Sequence, residues 1–292
     1  KELNKTDSVL ELFHGPTFAF KDFAARFMAR TMSCFLENKD DELTILVATS
    51  GDTGSAVANG FFNVDGINVI ILYPSNRVSA IQEKQLTTLG GNITALEIDG
   101  SFDDCQRMVK AAFQDIDLQN RLSLSSANSI NIARLLPQSV YYAWAWKQYA
   151  NNETVIFSVP SGNFGNITAG LLAKKMGLPI DKFIAATNIN DVVPEFFKNN
   201  EYNPKLSVTT ISNAMDVGDP SNMARIMNMY SSIKELQNDM VSWSFNENET
   251  SNMIQQLNKK YKYIMDPHSS VAILGLLKYM KMQSENMNNI FL

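Results

Sequence analysis

The sequence predicts an α/β fold built from two doubly wound domains with parallel sheets. Short, continuously apolar runs alternate with stretches of helical periodicity up to about residue 190. Strands that are apolar along their whole length are typical of parallel sheets with both faces covered by helices. Several runs end in turns rich in glycine and hydroxyl residues. Ligands of doubly wound sheets bind at such strand ends, so these turns are the first candidates for a functional site.

The predicted strands and helices alternate in order along the chain. Strands are predicted over residues 43–48, 67–73, 93–98, 154–159 and 183–187. Helices are predicted over residues 54–62, 79–89, 102–113 and 166–176. Another apolar helix is predicted from Arg134 through Trp146. Beyond residue 190 the pattern becomes mostly helical and polar, with helices predicted over 246–263 and 267–280.

The chain length suggests two domains. At about 150 residues per domain, 292 residues correspond to roughly two. No linker rich in glycine and serine separates them, so two intertwined units with a crossover near residues 125–135 fit better than two consecutive ones. We expect a smaller α/β domain over residues 25–125 and a larger one formed by residues 1–24 together with 126–292.

The composition argues against several classes of function. The chain has 25 Lys and Arg against 30 Asp and Glu, a net charge of −5, so a basic surface for nucleic acid is not expected. Two cysteines and two histidines are too few for a disulfide framework, a cysteine-rich zinc site or a multi-histidine metal centre. No apolar run approaches the roughly 20 residues of a membrane helix. We expect no metal, nucleic-acid or membrane partner, and a reducing, cytoplasmic location.

The turn after the strand at 154–159 has the chemistry of a phosphate site. It reads PSGNFGN over residues 160–166, and a helix is predicted directly after it. Glycines allow close approach of the backbone, and the free N–H groups at a helix start attract anions without a cationic side chain. The alternative is a glycine-rich turn without a ligand. The motif is not GxGxxG, which argues against a dinucleotide.

Two other junctions could bind anionic groups. The segment TSGDTGS at 49–55 offers hydroxyl and N–H donors for a carboxylate, or an N-cap in which Asp52 or Thr53 completes the first turn. Farther on, Asn128 and Ser129 precede Arg134, and the three could bind a second anion. The alternative there is a capped helix whose arginine lies in solvent.

Lys21 lies among aromatic and alanine neighbours near a predicted helix start. Its surroundings read FAFKDFAA, and apolar surroundings favour the neutral amine that a Schiff base requires. The alternative is a surface lysine whose charged end reaches water. Thr17 could cap the helix, and Asp22 and Arg26 could pair on its opposite side.

Taken together, these segments resemble one family of enzymes. The segments HGPTFAFKDFAARFM, ATSGDTGSAVANGF, LGGN, SANSINIARLLPQ, SVPSGNFGNITAGLLAKKMG and AATNIND follow one another in this order. From about residue 10 to 268 the chain resembles the threonine synthase family, which comprises pyridoxal-phosphate enzymes of the tryptophan synthase β-like (fold type II) architecture. The combination of GPTxAFKDF and TSGDTG separates that family from the serine and threonine dehydratases and from cysteine synthases.

The resemblance implies a role for each candidate residue, and it makes the larger domain the one that binds the cofactor. Lys21 is implied to carry the Schiff base with pyridoxal 5'-phosphate, and Asp52 to face the phenolic oxygen, where many relatives have asparagine. The residues implied to hold the cofactor phosphate are Gly162, Asn163, Phe164, Gly165 and Asn166. Those implied to meet the substrate α-carboxylate are Ser50, Gly51 and Thr53, and those implied to engage the substrate phosphate are Asn128, Ser129 and Arg134.

The implied reaction converts O-phospho-L-homoserine and water to L-threonine and phosphate, by γ-elimination followed by β-addition of water. The resemblance thus implies a carbon–oxygen lyase acting on phosphates in threonine biosynthesis, as a monomer or a homodimer. A phospho-amino-acid lyase or hydroxy-amino-acid dehydratase on the same fold is an alternative, as is a non-catalytic homologue. A nucleotide-binding Rossmann protein is disfavoured, because no GxGxxG turn with a following acidic residue is present.

The two ends of the chain depart from the family pattern. Family members usually carry a helical segment before LELFHGPT, and a C-terminal portion with a Gly-Thr-Ala-His-Pro-like motif whose threonine meets the pyridine nitrogen. Neither is found within residues 1–292. We therefore expect a shortened form of a longer protein, in which the ring nitrogen lacks its usual partner.

Overall fold

The computed structural model describes residues 1–36, 42–49, 51–149, 155–283 and 290–291. The chain divides into two compact units, Glu11–Pro137 and Lys1–Leu10 together with Gln138–Leu292. We call the continuous unit the insert unit and the discontinuous one the host unit. The domain limits predicted at residues 25 and 125 both fall inside the insert unit, and the predicted domain division stays a prediction.

The insert unit is a parallel sheet whose strands are joined by helices. Its strands are β1 (Leu43–Ala48), β2 (Ile67–Pro74), β3 (Ile93–Ile98) and β4 (Ser123–Ser126). Its helices are α1 (Lys21–Leu36), α2 (Asp52–Phe61), α3 (Ala80–Thr87), α4 (Phe102–Gln114), α5 (Ile116–Arg121) and α6 (Ile132–Leu135). The strand order is β3-β2-β1-β4, and each described pair is parallel.

Both faces of this sheet are covered by helices. Ile45 and Val47 of β1 belong to one buried cluster, which Phe61 of α2 also joins. Leu46 of β1 belongs to a second cluster, with Cys105 of α4. Successive residues of a strand point to opposite faces, so a strand covered on both sides must be apolar at every position. This explains the nearly uninterrupted apolar run LTILVA of β1.

The host unit repeats the same architecture. Its strands are β5 (Val155–Pro160), β6 (Lys182–Thr187), β7 (Met240–Ser244) and β8 (Ile290–Phe291). Its helices are α7 (Ser139–Tyr149), α8 (Gly165–Lys175), α9 (Val192–Asn199), α10 (Met223–Met229), α11 (Ile233–Asp239), α12 (Glu247–Tyr261) and α13 (Pro267–Met282). The strand order is β7-β6-β5-β8, again with parallel pairs throughout the described strands.

An aromatic cluster fills the core on one side of the host sheet. The ring of Tyr142 in α7 lies 4.9 Å from that of Phe157 in β5 and 5.5 Å from that of Phe183 in β6, edge-on to both. On the other side, Ile156 and Leu276 belong to a separate buried cluster. Helices therefore cover both faces here as well, and the predicted α/β class with two doubly wound parallel sheets is confirmed.

Several features differ from the sequence predictions, and the short helix α5 is one of them. The helix predicted from Arg134 through Trp146 is divided into α6, a 3-10 turn over Leu136–Gln138 and α7, because Pro137 has no N–H to continue an α-helix. Strands β4 and β7 were not predicted, since their sequences SLSS and MVSWS are short and partly polar. The other predicted elements agree with the structure to within two residues at each described end.

None of the described helices has the length and apolarity needed to cross a membrane.

Candidate active site

Lys21 is the first residue of α1, and its amine contacts a carboxylate. Its Nζ lies 3.4 Å from Oδ2 of Asp52, the first residue of α2. The lysine side chain is only 17% exposed, so it is not the water-directed surface lysine of the alternative interpretation. Nζ also lies 5.0 Å from the centre of the Phe20 ring. An amine, a carboxylate and an aromatic face are thus brought together in the insert unit.

The loop before Lys21 is fixed to the first turn of α1 by Asp22. The Thr17 N–H donates to Oδ2 of Asp22 at 2.9 Å, and the Thr17 hydroxyl donates to Oδ1. Gly15 packs against the same carboxylate, because a Cβ there would lie 2.3 Å from Oδ2. Among the described residues, Asp22 therefore pairs with Thr17 instead of Arg26, and Thr17 donates to the helix instead of capping it.

Asp52 has a second contact that the sequence did not indicate. Oδ1 of Asp52 accepts a hydrogen bond from Nε2 of Gln82 at 2.6 Å. Gln82 also closes the capping box of α3: its Oε1 accepts from the Ser79 N–H at 3.1 Å, and the Ser79 hydroxyl accepts from the Gln82 N–H at 3.3 Å. Capping boxes are common at helix starts, so nothing local to this segment indicates a contact with Asp52.

The turn between β1 and α2 is held by Thr49, whereas the alternative interpretation of the sequence named Asp52 or Thr53 as its cap. Oγ1 of Thr49 accepts hydrogen bonds from the N–H groups of Gly51 at 2.9 Å and Gly54 at 2.8 Å. A buried hydroxyl at the end of β1 thereby satisfies two backbone donors of this turn. The carboxylate of Asp52 is therefore not needed as a helix cap and can contact the amine of Lys21.

Gly51 is required by both its backbone and its surroundings. Its φ is 135°, a value that residues with a side chain rarely adopt. A Cβ at this position would also lie 2.6 Å from Cδ of Gln82. Thr53 follows in the first turn of α2 and is half-buried. Ser50, the third residue predicted to meet a carboxylate, lies outside the described residues.

The predicted second anion site lies where β4 ends. Arg134 is 2% exposed, which excludes the solvent-exposed alternative, and its Nη1 donates to the carbonyl of Ala127 at 2.8 Å. The amide of Asn128 accepts from the Ala48 N–H at 3.1 Å and donates to the Ala48 carbonyl at 2.7 Å. Ser129 is half-buried in the same segment. The side chain of Asn128 is thus engaged with the end of β1, and its role toward a substrate stays a prediction.

In the host unit, residues 160–166 form a turn between β5 and α8, which we call the glycine turn. Phe164 is buried with a φ of 60° at the N-cap, and α8 begins at Gly165. The first N–H groups of an α-helix have no partner within the helix. Gly162 faces another segment so closely that a Cβ would lie 2.6 Å from Cα of Met215 and 2.9 Å from the carbonyl oxygen of Ala214.

Two asparagine side chains fix the glycine turn to its surroundings. Oδ1 of Asn163 accepts from the N–H of Ser221 at 2.7 Å and from its hydroxyl at 3.0 Å. The amide of Asn166 accepts from the Tyr142 hydroxyl at 2.6 Å and donates to Gln138 at 3.1 Å. The oxygens of both amides therefore accept from protein groups, and the backbone N–H groups at the start of α8 are donors that suit an anion.

His268 supports the segment that packs on Gly162. Its Nε2 accepts a hydrogen bond from the Ala214 N–H at 3.2 Å, and its Nδ1 lies 3.0 Å from Oδ1 of Asp266. Within the described ranges, no three His, Cys, Asp or Glu side chains are grouped so that they could hold a metal ion. The contacts of this histidine are those of a structural residue.

Comparison with known proteins identifies relatives over the whole chain. Residues 9–289 match the family described as pyridoxal-phosphate dependent enzyme. The threonine synthase of Buchnera aphidicola subsp. Schizaphis graminum is 48% identical over 272 residues, which are 92% of this chain and 63% of that protein. The chain thus spans less than two thirds of the length of this curated relative.

Two crystal structures of threonine synthases are also similar to this chain. The enzyme from Escherichia coli gives a TM-score of 0.91 at 43% identity, covering 100% of this chain and 67% of the other. The pyridoxal-phosphate-bound enzyme from Brucella melitensis gives a TM-score of 0.87 at 35% identity, covering 100% and 68%. These matches confirm the resemblance, the fold type and the cofactor class that the sequence predicted. The chain belongs to the family of pyridoxal-phosphate dependent enzymes.

Proposed function

We propose that this chain takes part in threonine synthesis, converting O-phospho-L-homoserine and water to L-threonine and phosphate. The observation that carries the proposal is the Lys21 amine, which is largely buried and lies 3.4 Å from Asp52, within a chain 48% identical to a threonine synthase. The proposal includes the substrate and both products, threonine and phosphate. It also includes action as a monomer or homodimer in the cytoplasm.

The glycine turn suits the phosphate of pyridoxal phosphate. Its N-cap residue is in the left-handed region, its helix starts at Gly165, and the close packing of Gly162 leaves no space for a side chain. Such a turn presents N–H groups and the positive end of the helix dipole to an anion. We assign the phosphate to residues 162–166, with the side chains of Asn163 and Asn166 holding the turn in shape.

Lys21 is the residue we assign to the covalent attachment of the cofactor. When bound, the cofactor supplies an electron sink that stabilises negative charge developing on the substrate. Lys21 would also be the base that moves protons at Cα and Cβ of the substrate, because an amine fixed beside these atoms can both accept and return a proton. Asp52 holds that amine, with 3.4 Å between Oδ2 and Nζ.

The remaining predicted residues are assigned to the substrate. A guanidinium that is almost completely buried, as in Arg134, binds a phosphate strongly because little water competes for it. We assign Arg134 to the substrate phosphate, with Asn128 and Ser129 beside it. Gly51, Thr53 and Ser50 are assigned to the α-carboxylate. Retention of the released phosphate by Arg134 would place an acceptor near the water that adds at Cβ.

Trapping and product analysis test this proposal together. Borohydride reduction of the cofactor-loaded protein should attach the label to the peptide containing Lys21, and Lys21→Ala should abolish it. The exposed Lys110, replaced by alanine in the same way, should leave labelling unchanged. Label on another lysine would refute the catalytic assignment.

The products separate the alternatives. Equal amounts of threonine and phosphate are expected from O-phospho-L-homoserine. A 2-oxo acid released together with phosphate would instead support a phospho-amino-acid lyase. If none of these products is formed, the result would support a non-catalytic homologue. Light scattering of the purified protein and cell fractionation test the oligomeric state and the location.

A further inference from the structure

We propose that Gln82 is a positioning residue, which sets the carboxylate of Asp52 and through it the amine of Lys21. The inference rests on the proposed function, because it concerns the lysine assigned there to the cofactor. Gln82 lies in α3, outside every sequence motif that carries the resemblance and outside every role assigned to the reaction.

The carboxylate of Asp52 is contacted at both of its oxygens. Gln82 donates to Oδ1 of Asp52 at 2.6 Å, while Lys21 lies 3.4 Å from Oδ2. The two contacts use different oxygens, so they do not compete. A carboxylate held at one oxygen cannot rotate freely about its Cβ–Cγ bond, and its second oxygen is therefore presented in one direction. That direction is toward Lys21.

Gln82 is itself held in place. Its Oε1 accepts from the Ser79 N–H at 3.1 Å, which leaves Nε2 as the end that faces Asp52. The side chain also lies directly against Gly51, where a Cβ would be 2.6 Å from its Cδ. The orientation of the amide is thus fixed by the helix cap on one end and by a glycine backbone alongside it.

The amide of Gln82 carries no charge, which suits a group that positions a carboxylate for an amine. A glutamine donates a hydrogen bond without neutralising the carboxylate, whereas a lysine or arginine in its place would compete with Lys21 for the negative charge. Asp52 also lies in the first turn of α2, where negative charge is favourable. A neutral donor therefore keeps Asp52 both oriented and available to the amine.

The test measures the reactivity of Lys21 in the purified full chain, loaded with pyridoxal phosphate and after its removal. Each sample is treated briefly with limiting acetic anhydride, and acetylation of Lys21 is measured by peptide mass spectrometry relative to the exposed Lys110. In the cofactor-free protein, Gln82→Met should raise acetylation of Lys21 about threefold, because an amine that no longer contacts an oriented carboxylate is more accessible to the reagent.

A matched variant separates positioning from helix capping. Ser79→Ala removes the hydroxyl of the capping box but leaves the bond between Gln82 and Asp52. We expect Ser79→Ala to lower thermal stability and to leave the acetylation of Lys21 at the wild-type value. If Gln82→Met behaves like Ser79→Ala, the glutamine only caps its helix and the inference is wrong.

A double variant tests whether Gln82 acts through Asp52. Asp52→Ala should raise acetylation of Lys21 at least as much as Gln82→Met, and adding Gln82→Met to it should change nothing further. Effects that multiply in the double variant would overturn the inference. The loaded sample keeps the two proposals apart: if pyridoxal phosphate fails to protect Lys21 in the wild type, the proposed function fails whatever Gln82 does.

Discussion

Replacing Gly162 by alanine should displace the glycine turn, because backbone atoms of another segment occupy the space of its side chain. The new Cβ would lie 2.6 Å from Cα of Met215, and ordinary contact begins at 3.4 Å, so the two backbones must separate by about 0.8 Å. No side-chain rotation can relieve this contact. Overpacking of this kind typically lowers the free energy of unfolding by about 1–3 kcal/mol. Because the contacted atoms belong to the backbone, we expect a loss at the upper end of this range, about 3 kcal/mol.

Tryptophan fluorescence can measure this loss of stability in the host unit, which contains the glycine turn. The three tryptophans, Trp144, Trp146 and Trp243, all lie in the host unit. With a slope of about 2 kcal/mol per molar urea, the unfolding midpoint should fall by about 1.5 M. The affinity for pyridoxal phosphate should fall by about tenfold or more, because the displaced turn no longer presents its N–H groups at one point.

A second glycine gives the control for this experiment. Gly177 has a φ of 104°, and a Cβ there would meet no other atom within 4 Å, so alanine costs only backbone strain. Gly177→Ala should lower stability modestly and leave cofactor affinity unchanged. An unchanged urea midpoint for Gly162→Ala, or a cofactor affinity equal to that of the control, would refute the reasoning.

The remaining predictions concern two thiols, the end of β1 and one buried carboxylate. Cys34 is exposed, whereas burial and, less strongly, a neighbouring carboxylate raise the pKa of Cys105 to about 11. A thiol reagent should therefore modify Cys34 in the folded protein and Cys105 only after unfolding. Rapid modification of both cysteines in the folded protein would contradict this. Asn128→Ala removes both hydrogen bonds to the Ala48 backbone and should cost about 1–2 kcal/mol. Hydrogen exchange at Ala48 should then be faster, and an unchanged rate would argue against the contact. Burial raises the pKa of Asp216, although its hydrogen bonds lower it, so the folded state binds that proton more tightly than the unfolded state. The stability of the wild type relative to Asp216→Asn should therefore increase as the pH is lowered from neutral toward 3.8, the ordinary pKa of an aspartate, as urea midpoints can show, and a decrease would disprove it.

Strands could be predicted from the sequence wherever burial on both faces left a nearly uninterrupted apolar run. This holds for β1 and β2 at the centre of the insert sheet and for β5 and β6 in the host sheet. It fails for β7, whose sequence MVSWS is part-polar and has only five residues. That segment becomes a strand because it pairs with β6 from Phe183 to Thr187, and pairing with a distant segment leaves no local pattern to read.

The candidate site was predictable to the extent that its chemistry is local. Each of three short segments can be recognised from its own sequence: those around Lys21 and Asp52, and the glycine turn. They carry glycines and hydroxyl residues, or a lysine with apolar neighbours. Gln82 and Ser221 could not be found in this way, since they contact residues 30 and 58 positions away. Polar partners supplied by distant segments have no signature apart from the fold that brings them together.

The discontinuity of the host unit has a consequence for synthesis of the chain on the ribosome. The insert unit is complete once Pro137 has been made, and its local connections should allow it to fold while the nascent chain is still growing. Val9, in contrast, packs against the cluster of Met253, Leu257 and Met265, which is synthesised long after the insert unit. Residues 1–10 therefore cannot complete their contacts in the host unit until these later segments have been made.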